Sequence, residues 1–325
     1  MQTLDELRRR IDNADDMQSV VSSMKVLAVV SIRQFEKALV SLNAYNRVVE
    51  LSLQAIIQNG SAMSGAVLKT DVPLVRPPDP ESAGRRQNSK GAEGRNRVPA
   101  DRTCVLIFGS EQGLSGQFNE QVVEFALRGM ERLGLATDNR SLLAVGDHVA
   151  YRLKSAGLPI ERIFPIHGTA KAVTETVREV FLFLDGLRRE KNVTRIILFY
   201  HKPLSGAHYL PQMSHLYPVE RRFLIDLAQR PWPSPRSRPV IATDQVQLFR
   251  LLIRQYLRIT MERAFVESLL SENASRLLAM QVAEKNIAEY IEDLKHQFNN
   301  RRQGEITAEL LDIVAGSEAL AQDYL

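Results

Sequence analysis

Two long stretches of the chain repeat apolar residues at steps of three and four, with no helix breaker among them. From Met1 to Asn59 there is neither glycine nor proline. Over such a span that absence predicts a single long helix. Leu4, Leu7, Ile11, Ala14, Met17, Val21, Met24, Ala28, Ser31, Phe35, Ala38, Leu42, Tyr45 and Val49 share one face. Their steps alternate three and four except for one extra step of three at Met17, a stammer in an otherwise heptad seam. At the other end of the chain, Pro239 is the last proline, and no glycine follows it until Gly304. The span from about Val240 would reach on the order of 90–130 Å as one helix. Its own three-four spacing includes Ile287, Ile291, Leu294 and Phe298, then Ile306, Leu310 and Ile313. A compact domain cannot bury a helix of that length, so the pattern predicts an antiparallel coiled coil of the two terminal helices.

Between them the pattern changes to short apolar runs separated by helical stretches. Strands are predicted over Thr103–Phe108, Ser141–Val145, Ile160–Ile166 and Val193–Tyr200, with helices over Phe118–Leu133, His148–Ala156 and Ala170–Glu190. Strands alternating with helices of this length predict βαβ units, hence a Rossmann-like α/β domain with a mostly parallel sheet. Pro211–Pro218 reads as an added edge strand, and Pro231–Pro235 as a rigid break before the long helix. The expected organisation is an N-terminal helix over 1–60, an α/β domain over 103–239 and a C-terminal helix over 240–325. Residues 61–102 carry seven arginines and lysines among prolines and glycines between Lys69 and Arg97. That composition cannot form a core and predicts an exposed, disordered insert, read as a solvated linker.

Composition narrows the functional classes. The chain has 325 residues, 44% hydrophobic and 25% charged, as in a soluble globular protein. No apolar run is long enough for a transmembrane helix, and the acidic N-terminus shows neither a secretory nor a transit peptide. One cysteine, Cys104, leaves no internal disulfide and fits a reducing compartment. The net charge of +4 is mild and is not gathered with aromatics on one element, so nucleic acid is not an expected partner.

The candidate chemistry is thin. The turn Gly109–Gly116 follows the first strand, where an α/β domain would bind phosphate at a helix N-terminus. Gln117 and Phe118 stand after it, where a phosphate-binding loop needs Lys and Ser or Thr, and no dinucleotide fingerprint is present. The turn therefore reads as structural or as a contact surface. The six histidines form no metal-ligand spacing with one another, with Cys104 or with carboxylates on one element. Cys104, inside a predicted strand, reads as a buried apolar residue, and no serine lies in a nucleophile elbow. No catalytic residue, cofactor or metal site is expected.

Several long motifs nevertheless point to one family. Ser271-Glu-Asn-Ala-Ser-Arg276, Ala279-Met280, Asn299-Asn-Arg-Arg-Gln303 and Ile306-Thr-Ala-Glu-Leu-Leu-Asp-Ile-Val-Ala-Gly316 resemble the C-terminal signature of γ subunits of rotary F-type ATP synthases. Gly109-Ser-Glu-Gln-Gly-Leu-Ser-Gly-Gln-Phe-Asn119 is similar to that family's turn after the first strand. Arg8–Arg33 aligns without gaps to its N-terminal helix. The resemblance covers the whole chain except 69–101. It implies a rotor shaft made by the two terminal helices, standing inside a ring of alternating α and β subunits. The α/β domain would be a foot contacting the ε subunit and the membrane-embedded c-ring, with ion flow driving ATP synthesis or hydrolysis in the ring.

Carried over residue by residue, the resemblance implies coupling contacts at Met24, which would face an acidic β-subunit loop, and at Lys25 beside it. Arg302, Gln303, Thr307, Glu309 and Asp312 match the C-terminal polar positions that the family places around that methionine. A peripheral place on the cytoplasmic side of a bacterial inner membrane follows from the same likeness. Two departures stand out. Met17–Ser31 replaces several basic and threonine positions of the family pattern by apolar residues or serine, and Gly304-Glu305 replaces two small residues. Both suggest a divergent member with altered contacts between shaft and ring. Two other classes remain open at this stage: a scaffold that presents the α/β module to other partners, and a nucleotide-dependent enzyme using the glycine-rich turn.

Overall fold

The structure, a computed structural model, describes residues 3–59, 102–166, 168, 170–204, 208–233 and 239–322. Of the insert expected over 61–102, residues 61–101 lie outside the described residues, and Arg102 already belongs to the first strand. In order, the chain forms α1 (Leu4–Asn59), β1 (Arg102–Phe108), α2 (Phe118–Arg132), β2 (Arg140–Val145), α3 (Asp147–Ser155), β3 (Arg162–Phe164), α4 (Ala170–Lys191), β4 (Val193–Pro203), β5 (Tyr209–Tyr217), α5 (Arg221–Gln229) and α6 (Gln245–Gln322). It divides into two compact units, residues 30–275 and residues 1–29 with 276–325.

The larger unit is the α/β domain. Its sheet has the order β3-β2-β1-β4-β5. β1 pairs in parallel with β2 and β4, β2 with β3, and β5 returns antiparallel along β4. Successive side chains of a strand point to opposite faces. Cys104, Leu106 and Phe108 of β1 therefore join one core, with α4, the later part of α1 and α6 as far as Leu270. Val105 and Ile107 join the other, with α2 and α3. Covered on both sides, the inner strands can be apolar at every position, and β1 is buried from Thr103 onward. β5 occupies an edge, where Pro211 opposite His201 costs little because the outer side has no ladder to complete.

Phe35, Val49, Leu53 and Ile56 anchor α1 in this core. Its end is tied down by side-chain amides: Gln54 and Gln58 donate to the Arg230 carbonyl, and Asn59 donates to that of Pro239. The nine-residue α5 was not apparent from the apolar pattern. It buries only Leu224 and Leu227, and Phe223 stacks on Tyr256 with ring centroids 4.8 Å apart. A helix this short shows barely two turns of periodicity.

The smaller unit pairs the start of α1 with the later part of α6. Arg10 donates to the Tyr290 hydroxyl and Lys25 to Glu284, so rising numbers on one helix meet falling numbers on the other. The pair is antiparallel. Leu7, Ala14 and Ala28 of α1 and Met280, Ile291 and Leu294 of α6 are buried. The stammer expected at Met17 is absent. Met17 is 61% exposed, and the half-buried residue at this level is Gln18. Steps of four and three then run unbroken through Ala14, Gln18, Val21, Lys25 and Ala28. The reading that followed hydrophobicity alone moved the seam one residue early, because two of its positions are polar.

Candidate functional site

In an open α/β sheet, ligands bind outside the carboxyl ends of the strands, where the strand order switches direction. Here that point lies between β1 and β4, at the turn Gly109–Gly116. The turn is locked from within. Asn119, from the first turn of α2, accepts from the Ser110 amide at 2.9 Å and donates to the Ser110 hydroxyl at 2.8 Å. The Ser110 carbonyl accepts from the His148 amide at the start of α3, and Glu111 accepts from the Ile166 amide. A Cβ at Gly109 would lie 2.2 Å from Val149 Cβ, and one at Gly146 (φ +99°) would lie 2.6 Å from the Ser110 carbonyl oxygen. The glycines therefore serve close packing between the turn and α3.

The crevice above the turn is filled by α6. Ser275 donates to the Ser115 carbonyl at 2.6 Å and its hydroxyl lies 2.8 Å from that of Tyr209. Ser271 lies against the carbonyl of His201, at 3.3 Å. His201 itself is fully buried between the rings of Phe118 and Tyr209, with centroids 4.2 and 4.9 Å away. Burial pushes its pKa down to about 3, so it is neutral at pH 7. Cys104 is buried, and burial pushes its thiol up, leaving no thiolate for chemistry. Among the described residues no cluster of His, Cys, Asp and Glu is arranged to hold a metal ion. Ser271 and Ser275, whose role the sequence did not reveal, thus seat α6 on the turn and on the end of β4.

The expected contact residues lie in the smaller unit, at two separate levels. Met24 is half-buried on α1, and Lys25 beside it donates from Nζ to Glu284 Oε2 at 2.5 Å. Arg302 stands eighteen residues beyond Glu284 on α6, about 27 Å along the helix. The structure therefore does not bring the C-terminal polar positions around Met24. Arg302, Gln303, Thr307, Glu309 and Asp312 are all exposed, with the Thr307 hydroxyl donating to the Gln303 carbonyl one turn back.

They sit on a length of α6 that has left its partner. α1 begins at Leu4, and from Asn299 to Val314 only Glu305 is even half-buried. Ile306, Leu310, Leu311, Ile313 and Val314 are between 47% and 68% exposed. A second exposed apolar band runs on α1 through Met17, Val20 and Leu27. Apolar helix faces of this extent mark a surface that a partner covers. The sequence located the residues of the overhang, but with Ile306, Leu310 and Ile313 as a continued seam. They are instead uncovered.

A family model described as ATP synthase matches residues 3–320. The ATP synthase gamma chain of Bacteroides fragilis is 29% identical over 98% of this chain and the whole of that relative. The chloroplastic gamma subunit of Zea mays is 25% identical over 98% of this chain and 90% of its own. Among solved structures, a chain of Euglena gracilis mitochondrial ATP synthase, in a structure described as OSCP/F1/c-ring, superposes with a TM-score of 0.60. It is 12% identical over 98% of this chain and 94% of its own. A chain of the rotor of the same organism's enzyme gives 0.56 at 12% identity, over 93% of this chain and 98% of that one. With a match over nearly its whole length, and with the two terminal helices, the parallel sheet and the sealed turn in place, this chain belongs to the gamma-subunit family of ATP synthase.

Proposed function

We propose that this chain is the central-stalk rotor subunit of an F-type ATP synthase, linking ion flow through a membrane c-ring to ATP synthesis or hydrolysis in an α/β ring. The observation that carries this reading is the overhang of α6. From Asn299 to Gln322 it extends for about 36 Å as a single helix, and from Ile306 to Val314 its apolar residues are uncovered. One isolated helix of that character is marginal in water and needs a surrounding surface to hold it. A ring of subunits closed around a shaft supplies one.

The chain's part in catalysis is mechanical, and it has no catalytic site of its own. The paired helices of the smaller unit form a rod. In the overhang, Arg302, Gln303, Thr307, Glu309 and Asp312 make polar contacts with the ring, while the aliphatic residues beside them slide within it. Met24, at a lower level, faces an acidic loop of a β subunit, and Lys25 stands next to it. The α/β unit is the foot, with the ε subunit and the c-ring as partners. No described helix is long and apolar enough to cross a membrane, in keeping with a peripheral subunit on the cytoplasmic side of a bacterial inner membrane.

Co-purification of the tagged chain with α and β subunits from the same genome tests the proposal, with and without truncation after Gln303. The full chain is expected to recover a complex that hydrolyses ATP, and the truncated chain a weakened or uncoupled one. A full chain that purifies without either subunit refutes the reading and leaves a scaffold role in its place.

A further inference from the structure

The seam of the smaller unit repeats every seven residues on both helices. Leu7, Ala14, Val21 and Ala28 form one row of α1, and Leu4, Ile11, Gln18 and Lys25 the other. On α6 the rows are Met280, Ile287 and Leu294, then Glu284, Ile291 and Phe298. Lys25 and Glu284 thus stand in rows that are otherwise apolar except for Gln18. Each keeps only 30% and 32% of its side chain exposed, and they meet at 2.5 Å.

A seven-residue repeat carries an ambiguity. Sliding one helix past the other by a heptad sets apolar residue against apolar residue again, so apolar burial alone distinguishes the registers weakly. The same slide separates Lys25 from Glu284 by about 10 Å and leaves two largely covered charges facing aliphatic side chains. A polar group at a seam position is a known means of fixing register, at some cost in stability. Arg10 and Tyr290 add a second tie further along, with Nη2 to the hydroxyl at 2.5 Å and the guanidinium carbon 5.8 Å from the ring centroid.

We propose that Lys25 and Glu284 form an internal clasp that holds α1 and α6 in one register, and that Lys25 is a positioning residue within the shaft whose charge is not directed at the surrounding ring. The clasp deepens the rotor reading, and only its consequence for torque rests on that reading: two clasped helices turn as one body, and Met24 beside the clasp is held at a fixed level.

Zero-length amide cross-linking with a carbodiimide, followed by peptide mass spectrometry, tests the contact directly on the full-length chain alone and on its complex with α and β subunits. A peptide joining Lys25 to Glu284 is expected in both, and its loss in the isosteric Glu284→Gln variant. Absence of that peptide from the full-length chain, or a link from Lys25 to a β subunit in its place, overturns the proposal. In the assembled complex, ion pumping per ATP hydrolysed is expected to fall in Lys25→Glu and to recover in the charge swap Lys25→Glu with Glu284→Lys. A swap that pumps no better than Lys25→Glu also overturns it, since a charge read by the ring cannot be rescued from within the shaft. If the chain recovers no α or β subunit, the rotor reading fails while the cross-link still decides the clasp.

Discussion

Acidification acts on this protein through one residue whose surroundings make the effect calculable. His201 is fully buried between Phe118 and Tyr209, directly under the serines by which α6 seats on the turn after β1. Burial lowers its pKa from the ordinary 6.5 to about 3. The unfolded chain therefore takes up a proton near pH 6.5 that the folded chain refuses. Stability is fully present above pH 6.5 and is lost progressively as the pH falls towards 3. At about 1.4 kcal/mol per pH unit across that window, moving from pH 7 to pH 5 removes about 2 kcal/mol. Glu267 acts with the opposite sign. Burial raises its pKa, partly offset by Arg263, so its own protonation favours the folded state. Comparing wild type with His201→Leu at each pH cancels Glu267 and every other group common to both. Urea unfolding of the chain at pH 7 and at pH 5 is the assay. Wild type should lose about 2 kcal/mol more than the variant between the two conditions. Equal losses would refute the argument and mean that His201 is protonated, or reached by water, in the folded state.

Further substitutions check other parts of the account. Ser275→Ala removes the bond to the Ser115 carbonyl and the contact with the Tyr209 hydroxyl. It should cost about 1–3 kcal/mol in urea unfolding, because two hydrogen bonds are lost at once: the Tyr209 hydroxyl loses Ser275, and the Ser115 carbonyl keeps only the 3.3 Å bond from the Phe118 amide. Gly109→Ala drives a methyl to within 2.2 Å of Val149 Cβ. A loss of at least about 1–3 kcal/mol is expected, visible as a lowered melting temperature. Gly304→Ala should do the reverse. A Cβ there meets nothing within 4 Å, and the residue lies in the exposed interior of α6. Local hydrogen exchange around it should slow by an amount equivalent to about 1 kcal/mol.

Much of the architecture is legible in the order of residues. Long periodic spans without glycine or proline favour long helices, and short continuous apolar runs and period-3.6 patterns mark buried strands and helices wherever an element is long enough to show them. β1, β2, β4, α2, α3 and α4 accordingly fall within a few residues of their expected bounds, as do both terminal helices. Elements too short to show a period do not: β3 shrinks to Arg162–Phe164, and α5 was missed.

What the sequence could not determine is which neighbour each residue meets. Gln18 and Lys25 belong to the seam although they are polar, and Met17 is outside it although it is apolar, because helix phase outranks residue type once a partner helix is present. Ser271 and Ser275 carry no local signal, and their work emerges only when α6 crosses the end of the sheet and meets Ser115, His201 and Tyr209. The expected contact residues share the same limitation. Motifs locate Met24 and Arg302 in the chain, but the antiparallel pairing sets them at levels of the shaft far apart. Local periodicity is written along the chain and can be read from it. Register, seating and the partner of Lys25 depend on contacts between residues up to 280 positions apart, and those exist only in the folded protein.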